Sequence, residues 1–478
     1  MKELQRLRSQ LSSADYHHVT VLILGMLTML VGEFSTALPI AEILRNFNNG
    51  GTTVQLVNIL PLAILALMYP LGPVWLQKRT VTALFRDSLK VFIIGTVIIG
   101  LAYTLPLMLV GRIIQAVGCG MMLPMFATLI SALLPEDSRF SDFNQLEDII
   151  TGVATITALL LTGMSFLILH AWQWANLLVI LGSLIVYGMA NEIEIDLEAQ
   201  KYSIEWVNFG LSGGFLLLIG GMVLLTKTGL ALASWWRWFF LLSALICLAL
   251  YVRREWQVKN PLIDFRGLLD VRYLRAVLLQ GIGGASFASL LVIGVLYLRQ
   301  GLHYATWAIG VSLIPGIVVR LLVHHGTIPL LKNVSTIKRI RMATGIMMLG
   351  WGCLTIFSTY LNLLLFVILT MLIEAGHGLL IQVGKQLNQR PRSRRLINMA
   401  DIFAGQFKLM ATSLILTVLS VVLQNVTESW SFSGLPGQLS SLAGYRAAFL
   451  VFFIITILSW LVTMIAGRNY NLSKHIVK

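Results

Sequence analysis

Charge is what this sequence has least of. Asp, Glu, Lys and Arg make up 12% of its 478 residues, about half the share found in soluble domains, which argues against a water-soluble globular protein. Long polar segments are missing too. The widest gaps between apolar runs are roughly 15–20 residues, too short to bury a core of their own. Cysteine is sparse: Cys119, Cys247 and Cys353 each fall inside an apolar run, where a thiol behaves as a small hydrophobe. They offer neither a metal spacing nor a disulfide framework. The sequence shows no Ser nucleophile elbow, no His-x-x-x-x-Asp acyltransferase pattern, no His/Asp metal cluster and no P-loop. GIGG at 281–284 follows no strand and leads to no Gly-Lys-Ser/Thr, so it is a packing device and not a phosphate cradle. These absences argue against a membrane-bound enzyme and a nucleotide-driven pump, and no cofactor or metal is expected. The opening MKELQRLRSQLSSADYHH is polar and precedes a full-length apolar run, so no cleavable signal peptide is read there.

What is present is apolar. Hydrophobic residues reach 57% and the mean hydropathy is +0.82. Runs of about 20 such residues, each long enough to cross a bilayer core of about 30 Å, recur along the whole length. The periodicity predicts helices near 19–40, 53–76, 89–106, 108–134, 148–169, 173–190, 205–226, 235–252, 274–299, 304–330, 341–359, 361–384, 401–425 and 445–467. An even number of spans puts both termini on one side. With the N-terminus in the cytoplasm, most of the 35 Lys and Arg residues fall in cytoplasmic segments, a positive-inside pattern. It accounts for the net charge of +14 through anionic lipid headgroups, with no need for nucleic acid. Tryptophans in SWWRW (234–238) and WQW (172–174) stand at span ends, as in an interfacial belt.

Several stretches carry a family pattern in order. GRIIQAVGCG (111–120) places Arg112, Gln115 and Gly118, with Ala116 where a first glycine is usual. ALPIAEILRNF (37–47) closes the first run. WQW follows the fifth, NPLIDFRGL (260–268) precedes the ninth, GVSLIPG (310–316) lies in the tenth and GYRAAFL (444–450) opens the last. Together they resemble the fourteen-helix drug:proton antiporter branch of the major facilitator superfamily, along nearly the whole chain. The resemblance implies an all-α integral membrane protein of the major facilitator fold: two six-helix bundles plus two extra helices. The divisions are then a cytoplasmic segment 1–18, a first bundle 19–190, a cytoplasmic linker 191–204, two extra helices 205–252, a cytoplasmic loop 253–273, a second bundle 274–467 and a cytoplasmic tail 468–478. Departures are equally specific. Leu76 stands where the loop between helices 2 and 3 usually has Asp, and Asp87 comes only later. GVATITALLLTG (152–163) lacks the Gly-Pro and Gly-Gly pairs of helix 5. Leu30 replaces the usual Asp of helix 1, while Glu33 appears one turn on, on roughly the same face.

Charges within spans are expensive, about 2.5–3.5 kcal/mol each at the centre on insertion scales, so each one asks for a role. Glu33 in LVGEFSTALP, Glu374 in TMLIEAGHGLL and Arg112 are the candidate proton-coupling residues. A guanidinium keeps its proton, so Arg112 serves an acid as partner and not as carrier. Gln115, Arg320 and His377 are the candidate substrate contacts; Arg320 also has the option of pairing with Glu374. Ordinary helix-to-helix bonding is the alternative for each. Arg320 and His324 share a face of helix 10, with His325 beside them. Glu147 and Asp148 are read as acids at the N-terminus of helix 5. The expected function is a secondary transporter that exports small amphipathic molecules by proton antiport and alternating access. The alternatives are an anionic or lipid-like cargo, or a non-transporting sensor of the same fold. A peptide symporter is disfavoured because GEFSTALP lacks Glu-x-x-Glu-Arg. The expected partners are a small-molecule substrate, protons and membrane lipid, the expected state a monomer, and the expected place a bacterial cytoplasmic membrane with both termini cytoplasmic.

Overall fold

The computed structural model describes residues 13–47, 51–76, 79–133, 141–193, 206–225, 235–257, 271–326, 334–388, 394–432 and 437–475. Most of the expected segment 1–18, nearly all of the linker 191–204, most of the loop 253–273, the NPLIDFRGL stretch and the end of the tail lie outside them. Among the described residues there is no strand, and fourteen helices of 17 residues or more follow one another. They are α1 (Ser13–Phe34), α2 (Gly51–Met68), α3 (Val81–Gly100), α4 (Leu105–Leu133), α5 (Ser141–Leu169), α6 (Gln173–Met189), α7 (Trp206–Leu225), α8 (Trp235–Gln257), α9 (Val271–Ser289), α10 (Thr306–His325), α11 (Thr336–Phe357), α12 (Leu363–Asn388), α13 (Arg394–Phe432) and α14 (Gly437–His475). Nine of the described helices are long and apolar enough to cross a membrane, and α2, α6 and α7 contain shorter apolar stretches. Neither group includes α3, which carries Arg86, Asp87 and Lys90 in its first half, or α8, which ends on Arg253, Arg254 and Glu255.

Helix ends depart from the hydropathy reading where polar residues continue a helix beyond its apolar stretch. α13 and α14 each run 39 residues, and α5 starts at Ser141, two turns before the expected 148. In the opposite sense, the run 19–40 breaks early. α1 stops at Phe34, a turn covers 35–39, and a short helix, Ile40–Asn46, resumes. Pro39, which has no N–H to donate, sits in the turn. Polar bonds hold the break in place. Ser35 Oγ lies 3.4 Å from Asn176 Oδ1, Thr36 Oγ1 3.2 Å from Asn58 Oδ1, and Thr162 Oγ1 donates to the Ser35 carbonyl at 3.3 Å.

In the first half, α1 packs on α4, α5 and α6, α3 lies against α4 and α6, and α2 packs on α4. In the second, α12 packs on α10 and α11, α14 on α11 and α13, and α9 on α12 and α13. The halves meet along two seams, α5 on α10 and α2 on α13. The α7–α8 pair leans on α2, burying Phe215, Leu216 and Ala244 against Ala63 and Ala66. Outward faces are apolar: Ile185, Leu217, Leu322 and Leu364 are among the large exposed side chains. Their number would be a liability in water and suits a lipid surround.

The α3–α4 contact is made by backbone. A Cβ on Gly118 would sit 2.5 Å from Phe92 N and 2.8 Å from the Ser88 carbonyl oxygen. Gly118→Val is therefore expected to cost about 1–3 kcal/mol by overpacking, read as a lower unfolding temperature of the purified protein in detergent. An unchanged temperature would mean the two helices are not so close.

Candidate functional site

Among the described residues, most of the buried charge gathers in three clusters. The first is built on Arg112 of α4, which is 1% exposed. Its Nη2 donates to Glu33 Oε1 at 2.9 Å, its Nε to the Val57 carbonyl at 3.0 Å, and its Nη1 to Gln115 Oε1. The Val57 carbonyl is free for a reason visible in α2. Four residues on stands Pro61, inside the helix, with no N–H to bond back. Gln115 passes the chain of bonds on, its Nε2 donating to Thr96 Oγ1 at 2.9 Å. One arginine thus ties α4 to α1 and α2 directly, and to α3 through Gln115. Glu33, expected mid-span, is the penultimate residue of α1, directly before the break. Its Oε2 is buried without a hydrogen bond among the described residues.

The second cluster centres on Arg320 of α10, 2% exposed. Its Nε lies 3.9 Å from Glu374 Oε2 of α12 and 3.9 Å from Asp148 Oδ1 of α5. The guanidinium stands over the Phe287 ring, 4.3 Å from its centroid, close enough for a cation–π contact. Nε and Nη2 make no hydrogen bond among the described residues. His377 Nδ1 lies 3.2 Å from Glu374 Oε2. Asp148 also takes His324 Nδ1 at 2.6 Å, with His325 Nε2 at 3.7 Å. Asp148 belongs to the first half and Arg320, His324 and His325 to the second, so this cluster bridges the α5–α10 seam.

The third cluster sits at the other end of α10. Glu42, in the short helix after α1, accepts from Arg299 Nε at 2.9 Å and from Thr306 Oγ1 at 2.6 Å. Arg299 lies in a π-helical turn that extends α9 to Gly301, and Thr306 opens α10. This cluster, too, joins first half to second. At 1.5 Å per residue, Thr306 and His324 are roughly 27 Å apart along α10, close to a hydrocarbon core thickness of about 30 Å.

The six residues singled out in the sequence fall into two groups: Glu33, Arg112 and Gln115 in the first half, and Glu374, Arg320 and His377 in the second. Glu147 and Asp148 do not open helix 5, since α5 has already run two turns from Ser141. Asp148 instead pairs across the seam. Asp87 bonds to Arg79 and lies 3.6 Å from Lys90, on the exposed side. Asp148 as a bridge, Glu42 and Arg299 were not anticipated. The available signals were Glu42 within the apolar ALPIAEIL and the His324–His325 pair closing an apolar run.

No protein-family model matches the chain. It is similar to the MFS-type transporter YhcA of Bacillus subtilis (strain 168), at 24% identity over 311 residues, 63% of this chain and 56% of that protein. It is also similar to the lincomycin resistance protein LmrB of the same organism, at 26% over 317 residues, 64% of each. In both cases the match spans less than two thirds of the relative's length. Among solved structures, an auto-inhibited POT family peptide transporter superposes with a TM-score of 0.67 at 14% identity, covering 94% of this chain and 96% of that one. At that identity the likeness shows the fold.

Proposed function

We propose that this chain, a divergent relative of the MFS-type and drug-resistance transporters and built on the major facilitator fold, exports small amphipathic molecules in exchange for protons. It is a multi-pass membrane protein. The single observation that carries the reading is the buried carboxylate–arginine contact in each half, Glu33 on Arg112 and Glu374 near Arg320, within helices apolar enough to span a bilayer. Interior charge of this kind is retained where ions or protons are moved. The positive-inside pattern orients the molecule with Glu42 and Arg299 outside, Asp148 and His324 inside, and both termini in the cytoplasm; a bacterial cytoplasmic membrane and a monomeric state complete the proposal.

The residues supply a cycle of alternating access. A proton reaching Glu33 or Glu374 removes its charge and with it the attraction to Arg112 or Arg320. The arginines stay charged throughout. Weakening either contact shifts the balance between forms open to opposite sides. Moving one charge across 100 mV supplies about 2.3 kcal/mol, nearly fiftyfold accumulation of cargo per charge. Gln115 and Thr96 hold Arg112 in place, and Phe287 and His377 flank Arg320 and Glu374, so cargo contacts are assigned to Gln115, Arg320 and His377 once a cavity opens beside them.

The test is ethidium efflux from energised cells expressing wild type or the Glu33→Gln, Glu374→Gln double variant. Wild type should export, an uncoupler should stop it, and the double variant should match empty cells. Efflux by the double variant at the wild-type rate would remove the two acids from the coupling. A second reading, export of an anionic or lipid-like molecule, is favoured by one observation: Arg320 Nε and Nη2 are buried without a hydrogen bond among the described residues. Absence of ethidium efflux together with uncoupler-sensitive efflux of a fluorescent organic anion would favour it.

A further inference from the structure

We propose that Asp148, His324 and His325 form a binding site for a divalent transition-metal ion of the zinc class, bridging the two halves of the molecule at the C-terminal end of α10. The three side chains present two imidazole nitrogens and one carboxylate oxygen, all within 4.8 Å of one another. A tetrahedral ion with bonds of about 2.0–2.1 Å needs its ligands about 3.4 Å apart, so closing the site takes small side-chain rotations and no helix movement. The donors already converge on one atom. Asp148 Oδ2 is 2.6 Å from His324 Nδ1 and 3.7 Å from His325 Nε2. Neither nitrogen of His325 makes a hydrogen bond among the described residues, and both are closed to solvent. The other oxygen, Oδ1, faces Arg320 at 3.9 Å, which orients the carboxylate as outer partners of metal ligands do. The nearby guanidinium also opposes a dication, so binding is weaker than at the same ligand set without it. Nitrogen donors select zinc, cobalt or nickel over magnesium or calcium. No sequence spacing announces the site, since Asp148 and His324 are 176 positions apart. Because the acid stands on α5 and the histidines on α10, a bound ion pins the seam shut.

The experiment titrates the purified full-length protein in detergent with Co²⁺, following the visible absorption of a four-coordinate site, and then displaces it with Zn²⁺. One equivalent is expected to bind, and Mg²⁺ in large excess should not compete. His324→Gln and His325→Gln should each weaken binding at least about tenfold, Asp148→Ala should abolish it, and Asp148→His, which restores a ligand, should keep it. As a second measurement, Zn²⁺ should raise the unfolding temperature of wild type and leave that of Asp148→Ala unchanged. No absorption at a severalfold excess of Co²⁺ overturns the proposal. So does absorption unaltered in the His324→Gln, His325→Gln double variant, which would place the ion elsewhere, as at His17 and His18.

Discussion

Arg112→Leu is expected to stop proton-driven efflux and to destabilise the protein by about 3–5 kcal/mol, the usual cost of stranding one partner of a buried ion pair. Glu33 is 7% exposed and would lose its cation, while the Val57 carbonyl, freed by Pro61, would lose its donor. A companion variant separates stability from function. With Glu33→Gln and Arg112→Gln together, no lone charge remains, and stability should return to within about 1–2 kcal/mol of wild type. Efflux should not return, because nothing at that position then exchanges a proton against a fixed charge. Thermal unfolding in detergent and ethidium efflux in cells give the two readouts. If the double variant both folds and exports, the cluster is a structural staple and the coupling lies elsewhere.

Asp148→Ala should loosen the α5–α10 seam from the C-terminal end of α10. It removes the carboxylate that faces Arg320 and bonds to His324, and leaves Arg320 facing Glu374 within its own half. Leu321 is a good reporter, because its side chain packs against Gly152 across the seam. In a background without native cysteines, alkylation of Leu321→Cys should speed up at least about tenfold when Asp148 is replaced, a shift of about 1.4 kcal/mol in the opening equilibrium. Glu42→Gln weakens the opposite end of α10 and should leave that labelling rate at or below its starting value. Equal rates with and without Asp148 would mean that apolar packing, and not the ionic cluster, keeps the seam closed.

Much of this architecture was legible because a bilayer imposes a length on apolar runs. The fourteen candidate helices correspond in order to the described helices α1–α14, nine of which are long and apolar enough to span a membrane, and the six interior candidates stood out as polar residues in apolar runs. Glu33 and Arg112, 79 positions apart, were each visible alone; that they touch was not. What hydropathy reads is the membrane-deep part of a helix and not the helix itself. Hence α13 and α14 overran their expected ends, and Asp148 was taken for a residue at a helix start when α5 had already begun at Ser141. Asp148, Glu42 and Arg299 lie near span ends, where charge is ordinary and carries little signal. Pro61 did hold a clue. A proline inside an apolar run leaves one carbonyl without its helical donor, and an arginine elsewhere in the chain is a natural partner for it.

The double tether on α10 also bears on the economy of the cell. With Glu42 holding one end and Asp148 the other, α10 is tied to the first half at two levels roughly 27 Å apart along the helix. In the proposed transport cycle, a form held at both levels would insulate the membrane, so that the voltage driving every other uphill process is not drained between cargoes. The corresponding penalty falls on speed. In that proposed cycle each crossing waits for one tether to part, and every additional 1.4 kcal/mol in either tether makes the parted form ten times scarcer. Low leak and rapid turnover therefore pull the strength of these two ionic contacts in opposite directions.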